Sequence, residues 1–127
     1  MFRNINAFFS YSVDDIFKAK EFYGGKLKLD VSDIPGMKGI LNIYFPGGGR
    51  LIVYAKPDHK PATFTVLNFP VKDIEKTVSR LAASGIIFEK YEGDLKTDEK
   101  GIFRGQGPLI AWFKDPAGNI LSVLQEN

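Results

Sequence analysis

The chain contains no cysteine. That excludes disulfides, thiol catalysis and thiolate metal sites together. It has one histidine, His59. His59 lies in a charged, proline-rich stretch with no Glu or Cys beside it and reads as a solvated loop residue. No apolar run reaches the ~18 residues that span a bilayer, so a membrane is not an expected partner. Charge of neither sign dominates, the net value being +2. Nucleic acid binding needs a basic face, because phosphate contacts supply most of the affinity, and neither half of the chain offers one. The opening residues Met1-Phe2-Arg3-Asn4 lack the apolar core of a signal peptide, so the expected location is cytoplasmic.

What the chain does have is apolar bulk and an internal echo. Hydrophobic residues make up 44% of its 127 positions, with 11 Phe among them. That is enough for one folded domain with a real core. The segment Val13-Asp14-Asp15-Ile16-Phe17-Lys18-Ala19 returns 58 residues later as Val71-Lys72-Asp73-Ile74-Glu75-Lys76-Thr77. Each copy follows a strand-like alternation and opens a helical spacing, so the chain reads as two modules, about 1–57 and 61–127.

In the first module, residues 5–13 alternate as a strand, with Ala7, Phe9, Tyr11 and Val13 on one face and Asn6, Phe8, Ser10 and Ser12 on the other. Asp14 suits a helix N-cap. Ile16, Ala19, Phe22 and Tyr23 form the buried stripe of that helix, and Gly24-Gly25 is expected to end it. Strands follow at about 27–34, 39–46 and 49–56. The second module repeats the order: a strand over 62–71, a helix capped by Asp73 and ended by Ser84-Gly85, and strands over 86–91, 108–114 and 119–125. A polar stretch from Glu92 to Gln106 interrupts it, read as a solvated loop or a lid carrying Phe103 and Arg104 toward a ligand. Pro46-Gly47-Gly48-Gly49-Arg50 lacks the spacing and lysine of a phosphate loop and reads as a hairpin turn. The expected fold class is α+β: two βαβββ modules forming a cupped eight-stranded sheet with the helices on its convex face. A ligand would sit in the concave cavity.

The repeat Val13-x-Asp15-Ile16-x-x-Ala19-x-x-Phe22-Tyr23 and the hairpin Trp112-Phe113-Lys114-Asp115-Pro116-Ala117-Gly118-Asn119-Ile120-Leu121 together resemble the vicinal oxygen chelate superfamily. That group holds glyoxalase I, extradiol dioxygenases, and fosfomycin- and bleomycin-resistance proteins. The resemblance spans essentially the whole chain. It implies metal ligands on the inner faces of the first and last strands of each module. Carried onto this sequence, those positions are Phe8, Val66, Ser122 and Val53, with Ile52 as the other choice for the last. None is His, Glu or Asp, the donors that hold divalent metals in such sites. No metal and no cofactor is therefore expected.

The function expected is a small-molecule binder without the usual metal ligands, taking an apolar or aromatic compound against Phe8, Val53, Val66, Trp112, Ser122, Phe103 and Arg104. An enzyme with a non-standard catalytic set and a structural module with a plugged cavity are the alternatives. The resemblance also implies a homodimer.

Overall fold

Alternation and capping build each unit in the same way. The structure, a computed structural model, describes residues 1–126. The chain divides into two compact units, the first running from Met1 to Lys60 and the second beginning at Pro61.

In the first unit β1 (Phe9–Val13) leads into α1 (Ile16–Lys20). The N-cap is Asp15, one residue later than the sequence suggested: its carboxylate accepts from the Phe17 and Lys18 N–H groups. The copy in the second unit behaves alike, with Asp73 accepting from the Lys76 N–H. The helix does not stop at Gly24-Gly25. It widens into a π-helical turn over Glu21–Lys26, and the left-handed residue is Lys28, at φ 60°.

Strands β2 (Asp30–Ile34), β3 (Met37–Tyr44) and β4 (Arg50–Ala55) complete a sheet ordered β1-β4-β3-β2, in which β1 runs parallel to β4. A parallel pair needs a crossover, and here α1 and the β2–β3 hairpin provide it. Residues paired across strands share a face. One face carries Tyr11, Val53 and Leu41 in one row and Leu51 and Ile43 in the next. These meet α1 and the π-helical turn that extends it, where Ala19, Phe22 and Tyr23 are buried. The Tyr11 and Tyr23 hydroxyls lie 2.6 Å apart. Fully burying such side chains contributes about 1.5–3 kcal/mol each, so this is the face that holds the unit together.

The second unit repeats the pattern with β5 (Thr65–Pro70), α2 (Ile74–Ala83), β6 (Ile102–Phe103), β7 (Leu109–Lys114) and β8 (Ile120–Gln125), in the order β5-β8-β7-β6. Again the first strand is parallel to the last. The eight strands thus form two four-stranded mixed sheets. The strand expected over 86–91 is reduced to one bridge, Phe88 with Phe113. The fourth strand comes instead from the polar stretch, as β6. Its residues Ile102 and Phe103 can pair because Asp98 ties off the loop before them, its Oδ1 accepting from the Lys100 and Ile102 N–H groups, each at 2.9 Å.

The β7–β8 turn is built around Asp115. Its Oδ1 accepts from the Ala117 and Asn119 N–H groups at 3.0 and 2.8 Å, and Oδ2 accepts from Asn119 Nδ2 at 2.9 Å. Gly118, at φ 88°, closes the turn, a conformation that favours glycine. The core of this unit is the face bearing Ala111, Phe113, Leu121 and Val123, with Ile74 and Val78 of α2 also buried.

Candidate functional site

Each sheet has a second face, opposite its helix. In the second unit that face carries Trp112 and Ile110 of β7, Ser122 and Leu124 of β8, and Asn68 of β5, as the pairing register shows. Trp112, 8% exposed, sits in an aromatic cluster. The Tyr91 ring meets it edge-on at 5.4 Å and the Phe103 ring at 6.1 Å. Burial pushes the Tyr91 phenol up, with the Glu89 carboxylate adding to the rise and Lys114 opposing it, so this hydroxyl stays neutral at ordinary pH. Gly105 explains how Phe103 comes so close: a Cβ there would fall 2.4 Å from the ring's Cζ. A cleft of about 370 Å³ opens beside Phe103, with Thr97, Asp98 and Gly105 on its walls.

In the first unit the corresponding face holds three rows across β1, β4 and β3. They are Ser12, Tyr54 and Ile40; Ser10, Ile52 and Asn42; and Arg50 with Tyr44. Phe8, half-exposed and just ahead of β1, lies under the Arg50 guanidinium, 4.3 Å from ring centre to Cζ. That cation–π contact is worth about 0.5–1 kcal/mol at an exposed site.

The structure sorts the sequence-derived residues. Trp112, Ser122 and Phe103 come together on the second unit's open face. Phe8 lies with Arg50 in the first unit. Val53 is fully buried on the helix side, and Ile52 is the residue on the open face. Alternation forces that choice once the register with Leu41 is known. Val66 falls at an irregularity where the β5–β8 pairing shifts between Thr65 and Leu67, and Asn68 stands opposite Ser122. Counting along the sequence missed Asn68 because a bulge changes the count.

Arg104 lines the cleft beside Phe103 and is tied there by charge. Its guanidinium pairs with Glu75 of α2 and, at 2.9 Å, with Asp98. Lys100 completes the network through Glu75 at 3.0 Å. Opposite charges hold the Arg104 guanidinium toward α2 at one wall of that cleft.

His59 also departs from its reading as a solvated loop residue. It is half-buried, and its Nδ1 lies 2.6 Å from the Ser12 hydroxyl. The Lys56 N–H bonds the Val13 carbonyl of β1, and the His59 N–H closes a turn on the Lys56 carbonyl.

The donor set does not fit a divalent metal. Phe8, Ile52, Val53 and Val66 have no donor atom, and the Ser122 hydroxyl is given to Asn68 Oδ1 at 2.5 Å. Among the described residues no group of three His, Asp or Glu side chains gathers at one point. No helix among them is long and apolar enough to cross a membrane.

Two βαβββ units, each with its first strand parallel to its last, define an α+β protein of the vicinal oxygen chelate type. The profile of the Glyoxalase/Bleomycin resistance protein/Dioxygenase superfamily matches residues 5–123, and the chain belongs to that family.

Among solved structures, a glyoxalase/bleomycin resistance protein from Streptomyces sp. CB03234 is 27% identical, with a TM-score of 0.66, covering 94% of this chain and 99% of its own. TnmS3, an antibiotic binding protein from the same organism, is 24% identical with a TM-score of 0.71, covering 98% of each chain. The fosfomycin resistance protein FosX from Listeria monocytogenes shares the fold at 11% identity and a TM-score of 0.74, covering 100% of this chain and 94% of its own. No curated protein sequence matches the chain.

Proposed function

We propose that this protein binds an apolar or aromatic small molecule, without a metal, on the open sheet faces that carry Phe8 in one unit and Trp112, Phe103 and Ser122 in the other. The observation that carries the reading is the Trp112 cluster. Three aromatic rings, from Tyr91, Phe103 and Trp112, meet on the face of the second sheet away from α2, with Trp112 buried and Tyr91 and Phe103 part-exposed. Planar compounds stack on such rings, each pair contributing about 0.5–1.5 kcal/mol beyond area burial.

Apolar side chains at Phe8 and Val66 point the same way. They remove the donors for metal chemistry and supply surface for a ligand. The antibiotic-binding description of TnmS3 agrees with a role in sequestering a compound rather than transforming it.

Native mass spectrometry of freshly purified protein, with a screen of aromatic compounds followed by Trp112 fluorescence, tests the reading. A retained small molecule, or a compound that shifts Trp112 emission, supports it. No compound shifting the signal makes the faces structural. About one bound transition metal per chain after dialysis overturns the metal-free part.

An enzyme with a non-standard catalytic set has one observation in its favour. Ser12 and His59 stand 2.6 Å apart, the arrangement of a nucleophile and its base. Ester hydrolysis by the purified protein that disappears in Ser12→Ala would establish it.

We also propose a cytoplasmic homodimer. β1 and β5 are edge strands of their sheets, and edges need covering. Phe9 and Phe64, 73% and 66% exposed, add apolar surface near them. Sedimentation at tens of micromolar distinguishes a dimer from a monomer.

A further inference from the structure

Phe17 and Glu75 stand 58 residues apart, at the same point of the two helices. In the second unit that position is covered, because Lys100 and Arg104 reach over α2 to Glu75. In the first unit Phe17 is 82% exposed. Beside it, between α1 and the β2–β3 hairpin, lies a cavity of about 710 Å³. Small-molecule sites fall in the range of about 300–1,000 Å³. The β2–β3 pairing shifts register between Asp33 and Ile34, and such an irregularity re-aims side chains. Ile34 and Met37, past the shift, line the cavity together with Ile16, Phe17 and Leu41.

These walls are mostly aliphatic, with one ring and one thioether. Met adapts to irregular shapes, so the lining suits a flexible alkyl chain better than a flat ring. The rim is basic, with Lys20 and Lys38 against Asp33. Lys20 is held by Asp33 at 2.9 Å. Lys38 is exposed and forms no ion pair among the described residues. An apolar cavity with one uncommitted cation at its rim complements an apolar chain that ends in an anion.

We propose that this cavity is a second binding site, on the helix side of the first sheet and separate from the open faces, and that it takes a medium-chain aliphatic carboxylate. The chain lies along Ile16, Ile34, Met37 and Leu41, Phe17 closes over it, and the carboxylate pairs with the Lys38 ammonium.

The experiment titrates octanoate and 1-octanol into the full-length protein labelled with ¹³C-methyl methionine. Met1 and Met37 are the only methionines, so the Met37 methyl reports the cavity and Met1 serves as the control. Saturable shifts of Met37 are expected with both probes, octanoate binding about fivefold more tightly, the upper effect of an exposed ion pair. In Lys38→Gln octanoate is expected to bind as weakly as 1-octanol. Phe17→Ala, at an exposed position, is expected to weaken both probes at least about fourfold, the effect of one buried methylene, without lowering the melting temperature.

No shift of Met37 with either probe overturns the inference. So does octanoate binding unchanged in Lys38→Gln, since the carboxylate is then read elsewhere or not at all. A Met37 signal that moves on dilution of the protein and not with octanoate assigns the cavity to a second copy of the chain and overturns it too. Octanoate that shifts Trp112 emission and leaves Met37 unmoved overturns it while leaving the reading of the open faces standing.

Discussion

Ser122, fully buried on β8, donates its hydroxyl to Asn68 Oδ1 on β5 at 2.5 Å, and the two residues are register partners. Their surroundings differ, because Asn68 is exposed. Loss of the partner therefore has unequal consequences. Ser122→Ala removes one hydrogen bond and leaves Asn68 to water, at a cost of about 1 kcal/mol. Asn68→Ala takes the acceptor from a buried hydroxyl, at a cost of about 1–3 kcal/mol. Urea denaturation of the two variants should show the second as the less stable. The reverse order would mean that Asn68, not Ser122, bears the burial.

Phe8→Ala separates a ligand surface from a core position. A core Phe truncation costs about 3–5 kcal/mol. Phe8 is 50% exposed and its recorded ring contact is with Arg50, so its loss is expected to cost about 1 kcal/mol. Binding of an aromatic probe should weaken more than stability does. A loss of stability in the core range, with no change in binding, would place Phe8 in the structure alone.

Gly105→Ala is expected to disturb the aromatic cluster without unfolding the protein. The new Cβ would fall 2.4 Å from Phe103 Cζ, so the ring must swing away, and with it the contact to Trp112. Trp112 is the only tryptophan and therefore reports the change. Its emission should shift toward that of a more exposed indole, while far-ultraviolet circular dichroism stays as in wild type. An unchanged emission spectrum would show that Phe103 does not shield Trp112.

The charge network on α2 predicts an acid sensitivity. Hydrogen bonds from Lys100 and Arg104 hold the Glu75 carboxyl below its ordinary value. Burial would raise Asp98, but the Ile102 N–H, the Arg104 guanidinium and the Lys100 N–H outweigh it and hold it low as well. Carboxyls lowered in the folded state stabilise it fully above their unfolded values of about 4. That contribution disappears as the pH falls through the folded values. Wild type should therefore exceed Arg104→Gln in denaturation midpoint near pH 7, and the gap should close below about pH 4. The gap should also narrow in high salt, because the groups are at least partly exposed. A gap independent of pH would assign Arg104 a packing role only.

The duplicated architecture was legible in the residues themselves. Val13 and Val71 stand at the same point of two copies of one unit. The Asp two positions after each caps a helix through a contact that reaches only two or three residues. Alternation likewise marked the strands other than the one expected over 86–91, and Asp115 to Asn119 marked its turn, because caps, turns and side-chain periods are local chemistry.

The site was not legible in the same way. Whether Val53 or Ile52 faces outward depends on pairing with Leu41 and Asn42. Asn68 meets Ser122 only because β5 slips by a residue near Val66. Ile102 and Phe103 look like part of a polar loop until Asp98 pins it and β7 offers an edge, and Arg104 turns to α2 because Glu75 is there. The sequence by itself determined the repeated unit and the cap of its second helix, and placed the first cap within one residue, through forces that act within a few residues. The tertiary structure alone decided which side chains share the open faces and which line the cavity between α1 and the β2–β3 hairpin. Register and long-range pairing set those, and no short stretch of chain contains them.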